Sequence, residues 1–412
     1  MSAAEERTRT GPEGSPSEVF RVFLRLGLTS FGGPVAHLGY FREELVERRR
    51  WLSETGYAEL IALCQFLPGP ASSQVGFALG LLRGGPLGAV AAWAAFTLPS
   101  ATLLVVFALG AVSLEGAVGH GILTGLKAVA VAVVAHAVWG MAGTLTPDVR
   151  RKLIALLAAG LALLLPGTLG QLAAISVGLA AGTVWCRHTA AARAEPFGIR
   201  ISPRIGAIAL ASFSLLLVAL PIAAWITRNS WIGIADAFTR AGALVFGGGH
   251  VVLPLLQAEP AISGSVTPDQ YLAGYGAAQA VPGPLFTFAA YLGFEMHPGP
   301  AAPLAALLAL IAIFTPGLLL LVGVLPFWAR LRESRAIRSA MAGAGAAVVG
   351  VLAAALCTPI GTSGLTGPAP LVIAAGCLLM LATRRTPAWA TVILGAAAGA
   401  LAGALDLGLS WI

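Results

Sequence analysis

Apolar runs fill most of the chain, and polar residues are confined to short turns between them. Runs near 87–110, 119–143, 153–167, 169–186 and 205–226 read as helices that cross a bilayer, or nearly so. Others are interrupted in mid-run. Residues 18–41 break at Gly32-Gly33-Pro34 and 57–82 at Pro68-Gly69-Pro70. The same interruptions return past the midpoint. Phe31-Gly32-Gly33 matches Phe246-Gly247-Gly248 at an offset of 215, and Gln65 with Pro68-Gly69-Pro70 matches Gln279 with Pro282-Gly283-Pro284 at 214. Phe96-Thr97 matches Phe314-Thr315 at 218, as does Gly125 with Ala128 against Gly343 with Ala346. Identities in one order with a slowly drifting offset mark two homologous halves.

Composition then fixes the medium. Of 412 residues, 57% are hydrophobic and only 10% charged, with a mean hydropathy of +0.85. A soluble chain of this length needs far more surface charge, so the pattern predicts an all-α, polytopic membrane protein. The net charge of +7 does not indicate a nucleic-acid partner, because the arginines cluster in turns, where topology explains them. The four cysteines and six histidines show no metal-ligand spacing, so neither metal nor cofactor is expected. No Walker sequence and no poised nucleophile–base pair is present, which argues against an ATP-driven pump and against an enzyme.

The positions of Lys and Arg give orientation. The loop at 42–50 carries Arg42, Arg48, Arg49 and Arg50, whereas its counterpart at 257–270 has no Lys or Arg. The bare turn at 113–119 corresponds to 328–338, which holds Arg330, Arg332, Arg335 and Arg338. Arg150, Arg151 and Lys152 correspond to the uncharged 358–370. Charge is exchanged at all three pairs, so the halves are expected to be inverted in the membrane. The expected plan is a disordered cytoplasmic tail (1–16) and a first repeat (17–186). A basic cytoplasmic linker with a connecting transmembrane helix (187–230) then leads to an inverted second repeat (231–412). The N-terminus falls on the cytoplasmic side of the cytoplasmic (inner) membrane and the C-terminus outside.

Paired Gly/Pro breaks at equivalent places mark a binding site near the membrane midplane. Helix starts after such breaks present free N–H groups and a positive dipole end to an anion. Ser72, Ser73 and Thr287 add hydroxyls, and the glycines Gly32, Gly33, Gly69, Gly247, Gly248 and Gly283 allow close backbone approach. Gln65 and Gln279 stand three residues before each Pro-Gly-Pro and either cap the preceding half-helix or touch the substrate. Arg25 and Arg240 occupy equivalent positions seven residues before Gly32 and Gly247. Each serves the cavity or, for Arg25 especially, reaches an interface by snorkelling. Lys127 lies deeper, with Gly345 opposite it in the repeat, and acts as ligand or gating charge unless it pairs with a neighbouring half. His250, beside the second glycine break, is either a proton carrier for coupling or a hydrogen-bonded core imidazole. Trp51, Trp225, Trp231, Trp328 and Trp389 read as an interfacial belt.

At these residues the chain resembles the chromate ion transporter family in its long, two-domain form. The resemblance rests on Phe31-Gly32-Gly33-Pro34, on Gln65 to Pro70, on Phe246 to Gly249, on Val281 to Pro284 and on Gly125-Leu126-Lys127-Ala128-Val129. It covers about 17–185 and 232–405. It implies an inner-membrane carrier that exports chromate, a tetrahedral dianion that mimics sulfate, driven by protons or anion exchange. Sulfate or another oxyanion is the alternative substrate, and an anion channel the alternative mode. A homodimer is the family habit, with many small residues available for helix contacts.

Overall fold

The computed structural model describes residues 14–111, 116–165, 167–186, 199, 201–246, 249–331, 333–383 and 386–405. The elements run in order α1 (Pro16–Thr29), α2 (Gly33–Phe41), a π-helical turn (Arg42–Arg48), α3 (Glu54–Phe66) and α4 (Ala71–Ala111). Next come α5 (Gly116–Leu145), α6 (Val149–Leu164), α7 (Gly167–Trp185) and α8 (Pro203–Thr227). The second half holds α9 (Ser230–Ala243), α10 (Val252–Gln257), α11 (Pro260–Ser263), α12 (Pro268–Ala278), α13 (Phe288–Met296) and α14 (Ala302–Val324). It closes with α15 (Trp328–Leu331), α16 (Arg335–Ala355), α17 (Thr362–Gly364), α18 (Pro368–Ala382) and α19 (Ala388–Ala404).

The order is the same twice. α1, α2, α3, α4, α5, α6 and α7 answer to α9, α10, α12, α13 with α14, α16, α18 and α19, and α8 stands between. The one interruption of α4 is a kink at Gly84 and Gly85, where the second repeat separates α13 from α14. Local sequence sets the ends. Ser15, Ser53, Asp148, Ser202 and Asn229 cap their helices through side-chain oxygens. Thr267 and Gln270 form a reciprocal capping box at α12.

Among the described residues, six helical stretches are long and apolar enough to cross a membrane: Ala71–Ala111, Gly116–Leu145, Gly167–Trp185, Pro203–Thr227, Ala302–Leu331 and Arg335–Gly364. Leu285–Met296, Pro368–Ala382 and Ala388–Ala404 are shorter apolar helices. α8 is apolar yet largely unburied, with Ile208, Leu215, Val218 and Trp225 all more than half exposed. Such a helix is stable only with hydrocarbon around it.

The repeats exchange helices. α5 of the first packs on α18 and α19 of the second, and α16 of the second packs on α6 and α7 of the first. Glycine permits both crossings. A side chain at Gly125 would collide with the Gly395 carbonyl, and one at Gly343, its equivalent, with the Gly178 carbonyl. Close backbone approach at small residues is how helices associate without a hydrophobic drive.

Trp328 departs from the interfacial expectation. It is 8% exposed and its indole Nε1 donates to Glu59 Oε1 at 2.6 Å. A buried carboxylate of α3 needed a donor, and the second repeat supplies it.

Candidate functional site

Each Pro-Gly-Pro is tied to a break of the other repeat. Gly69 donates its N–H to the Val245 carbonyl at 2.7 Å, and Gly283 donates to the Ser30 carbonyl at 2.8 Å. Gly69 is equivalent to Gly283 and Ser30 to Val245, at offsets of 214 and 215. The two bonds are therefore one contact made twice. Both glycines sit at positive φ, 125° and 99°, where other residues are strained. Each also lies against the helix that follows the other repeat's Phe-Thr pair. A side chain at Gly69 would meet Gly317 Cα at 3.0 Å, and one at Gly283 would meet Ser100 Oγ at 2.8 Å. Pro34 and Gly249, which are themselves equivalent, lie against each other, with Pro34 Cγ 3.4 Å from a Cβ built on Gly249.

Around this common frame the two sides differ in chemistry. On the first-repeat side Ser30, His37, Ser72, Ser73, Gln74, Thr97 and Ser100 are all 3% exposed or less. His37 Nδ1 stands 3.4 Å from Ser72 Oγ, and its ring meets Phe96 edge-on at 5.2 Å. Ser100 donates to the Thr97 carbonyl at 3.0 Å. Gln74 Nε2 donates to Pro68 and, across the repeats, to the Gly317 carbonyl at 2.9 Å. Ser30 Oγ, His37 Nε2, Ser73 Oγ, Trp93 Nε1 and Thr97 Oγ1 have no partner. Buried donors are seldom left unpaired, and a ligand that only accepts hydrogen bonds would satisfy them. On the other side the equivalents of Ser30, His37, Ser72 and Gln74 are Val245, Val252, Phe286 and Phe288. Thr287, opposite Ser73, spends its hydroxyl on the Pro284 carbonyl at 2.7 Å.

The remaining sequence candidates fall in three places. Gly32 and Gly33 form the first break, both at positive φ, with nothing within 4 Å of a Cβ built on Gly33. Gly247 and Gly248 lie outside the described residues. Gln65 is exposed and Gln279 half-buried, with the Gln279 Nε2 unpartnered. His250 Nδ1 lies 2.6 Å from the Tyr275 hydroxyl, inside the second repeat's core.

The three cations are apart from the polar crevice and from one another. Lys127 pairs with Asp269 at 2.9 Å in a cavity of about 200 Å³ that also includes His120, Thr124, Gln270 and Glu295. Arg240 pairs with Asp236 at 2.7 Å and with Glu259. Glu259 reaches Arg240 because the 258–259 turn folds inward, and it is buried to 1% exposure. Arg25, the equivalent of Arg240, is exposed and makes no ion pair among the described residues.

Sequence reasoning passed over Ser30, Thr97 and Trp93, left His37 without a role, and missed Glu259. A usable signal existed for Glu259, since Glu44 precedes it by the same offset of 215. The crevice donors carry no motif, because serine and threonine are too common to stand out before helices bring them together.

Six bilayer-length helices with interrupted helices meeting inside them define a multi-pass membrane protein of the transporter type. The chain belongs to the chromate transporter family, whose pattern matches it twice, at residues 17–184 and 232–400. It is 30% identical over 383 residues to the probable chromate transport protein of Synechococcus elongatus, covering 86% of this chain and 87% of that one. It is 30% identical to the chromate transport protein of Cupriavidus metallidurans, covering 86% and 85%. With the chromate transport protein of Pseudomonas aeruginosa the identity is 28%, covering 83% and 80%. No solved structure matches the chain.

Proposed function

We propose that the protein is a secondary active transporter that exports a tetrahedral oxyanion, chromate in the first instance, across the cytoplasmic membrane. The observation that carries this reading is the meeting of four helix breaks around buried donors that no protein group satisfies. Chromate and sulfate accept hydrogen bonds at every oxygen, so such a cluster of donors suits them. Chromate is preferred because the relatives at about this identity carry that name.

The repeats are inverted in this reading, with the axis in the membrane plane. α1, α2, α3 and the start of α4 enter from the cytoplasm and return to it. α9, α10, α12 and α13 do the same from outside. The exchange of basic and bare loops supports this orientation. Alternating access then follows from one set of interrupted helices moving against the other, with a proton or counter-anion supplying the drive.

The test is uptake into proteoliposomes. Chromate and sulfate fluxes should saturate and should respond to imposed pH or trans-anion gradients. Passive, unsaturable anion flux with no such coupling would instead define a channel. Saturable transport of an unrelated cation would remove the reading altogether.

A further inference from the structure

The repeated frame of the breaks would allow two equivalent anion sites, one on each side. We propose that it holds one. The oxyanion is bound on the first-repeat side by His37 Nε2 with the hydroxyls of Ser30 and Ser73, Ser72 orients the imidazole through Nδ1, and the second-repeat side is a dry apolar wall. This rests on the oxyanion-transport reading and adds to it the residues and the stoichiometry.

The contrast between equivalent positions is the argument. Ser30, His37 and Ser72 correspond to Val245, Val252 and Phe286. All six are buried at 2% exposure or less, so surface accident does not explain the difference. An imidazole buried with Nε2 unpartnered is costly in an empty protein, and a packed valine at the same place would cost nothing. The equivalent position has that valine, which shows that the frame itself tolerates it. The Ser30 and Ser73 hydroxyls are unpartnered in the same way.

Connectivity places His37, Ser72 and Ser30 together. The Ser72 hydroxyl touches His37, and the Ser30 backbone lies beside the same ring. Ser30 is fixed by the bond from Gly283. Ser72 and Ser73 are the second and third residues of α4, where backbone N–H groups have no intrahelical acceptor. The site therefore combines a helix start with buried side-chain donors from two other segments. It contains no fixed cation. A neutral His37 that donates through Nε2 accepts at Nδ1 from the Ser72 hydroxyl, so Nε2–H and the Ser30 and Ser73 hydroxyls are the donors an anion meets, and all remain neutral when it leaves.

On the second-repeat side Phe286 rests against Phe314 at 5.6 Å between ring centroids, and Phe314 against Trp93 at 5.7 Å. These rings exclude water from one flank of the crevice and leave the other to recognise the ion.

The test is equilibrium binding of sulfate and of chromate to the full-length protein in lipid nanodiscs, read by calorimetry for affinity and stoichiometry. The wild type should bind one ion per chain. His37→Leu, which keeps the volume but not the donor, should weaken binding at least tenfold. His37→Gln, which can place an N–H near the same point, should stay within about threefold. Val252→Leu, the change at the equivalent position, should have no effect. Two ions per chain would overturn the proposal. So would unchanged affinity in both His37→Leu and the Ser30→Ala/Ser72→Ala double variant. If His37→Leu does not fold, the double variant alone decides. If the wild type binds neither ion, the oxyanion reading fails and this inference with it.

Discussion

Arg240 pairs with Glu259, nineteen residues further along, and the equivalent residues of the first repeat, Arg25 and Glu44, do not pair. Glu44 is held instead by Arg48 at 2.9 Å and Arg49 at 2.7 Å, while Arg25 is exposed. In the proposed inverted-repeat carrier, equivalent residues in unequal states correspond to one side closed and the other open. Removing one partner of a buried pair costs roughly 3–5 kcal/mol. Glu259→Gln should therefore destabilise the state in which the second repeat's outer route is closed. In a Cys357→Ser background, a cysteine at Gln279 should be labelled from outside at least tenfold faster once Glu259→Gln is added. Equal labelling rates would show that the pair has no gating role.

Cys357 tests orientation without any substitution. It is exposed, while Cys64, Cys186 and Cys377 are buried. It sits in the π-helical turn Leu356–Gly361, at the end of α16 assigned to the extracytoplasmic side. A membrane-impermeant maleimide added to intact cells should modify the wild type, and Cys357→Ser should lose the signal. A cysteine at Lys152, exposed on the opposite side in this topology, should react only after the membrane is opened. Labelling of Lys152→Cys and protection of Cys357 in intact cells would reverse the whole assignment.

The repeat and its break points were legible because glycine and proline at positive φ or at helix starts leave a mark in sequence. Gly69 and Gly283 are the clearest case. Inter-repeat chemistry was not legible. Nothing near Gln74 announces that its amide donates to the Gly317 carbonyl, 243 residues away, and no local pattern brings Glu259 to Arg240. For Lys127 a pair with the other half stood only as an alternative, because nothing local points to Asp269 as the partner. Asymmetry was the hardest feature to read. Matching motifs direct attention to what the halves share, whereas the unpartnered donors occur where Ser30 and His37 differ from Val245 and Val252.

Glu44 predicts an acid sensitivity in the Arg42–Arg48 turn. Burial acts to raise its pKa, but hydrogen bonds and charge from Arg49 and Arg48 hold the carboxyl below its usual range. The sign follows from linkage. A carboxylate depressed in the folded state adds stability above its unfolded pKa, and that stability is lost as pH falls through the folded value. The melting temperature of the wild type should therefore drop more steeply than that of Glu44→Gln between about pH 5 and pH 3. Parallel curves would mean that the Glu44 pairs contribute nothing.

Gly125 and Gly343 are equivalent, and each lies against a helix of the other repeat. Inserting side-chain bulk into a close-packed contact costs about 1–3 kcal/mol or more, and here backbone carbonyls of Gly395 and Gly178 stand in the way. Gly125→Val and Gly343→Val should both lower thermal stability and monodisperse yield by similar amounts. Gly345→Ala, which would meet only Leu145 methyls at 3.7–3.9 Å, should be tolerated. A stable Gly343→Val protein beside an unstable Gly125→Val protein would argue against equal crossings.

Lys127 and Asp269 should set how the anion uses the outer mouth. Their pair joins α5 of one repeat to α12 of the other, in a cavity of about 200 Å³ that can hold an anion with some of its water. The Lys127 side chain is 11% exposed and that of Asp269 is 71% exposed. The lysine is thus fixed, and its partner is replaceable. A pair with one exposed member is worth at most about 1 kcal/mol, so an arriving anion can displace the carboxylate. Asp269→Asn removes the competitor and should lower the external half-saturation concentration for chromate or sulfate, by no more than about fivefold. Lys127→Gln should raise it and slow transport, and Lys127→Arg should restore it in part, because the charge returns with a different donor geometry. Binding in the central crevice should be unchanged in all three variants, since none of their side chains reaches His37 or Ser72. Flux in proteoliposomes, measured beside equilibrium binding, separates the two effects. If Asp269→Asn and Lys127→Gln shift the external half-saturation in the same direction, the pair acts as a structural tie and the anion leaves by another route.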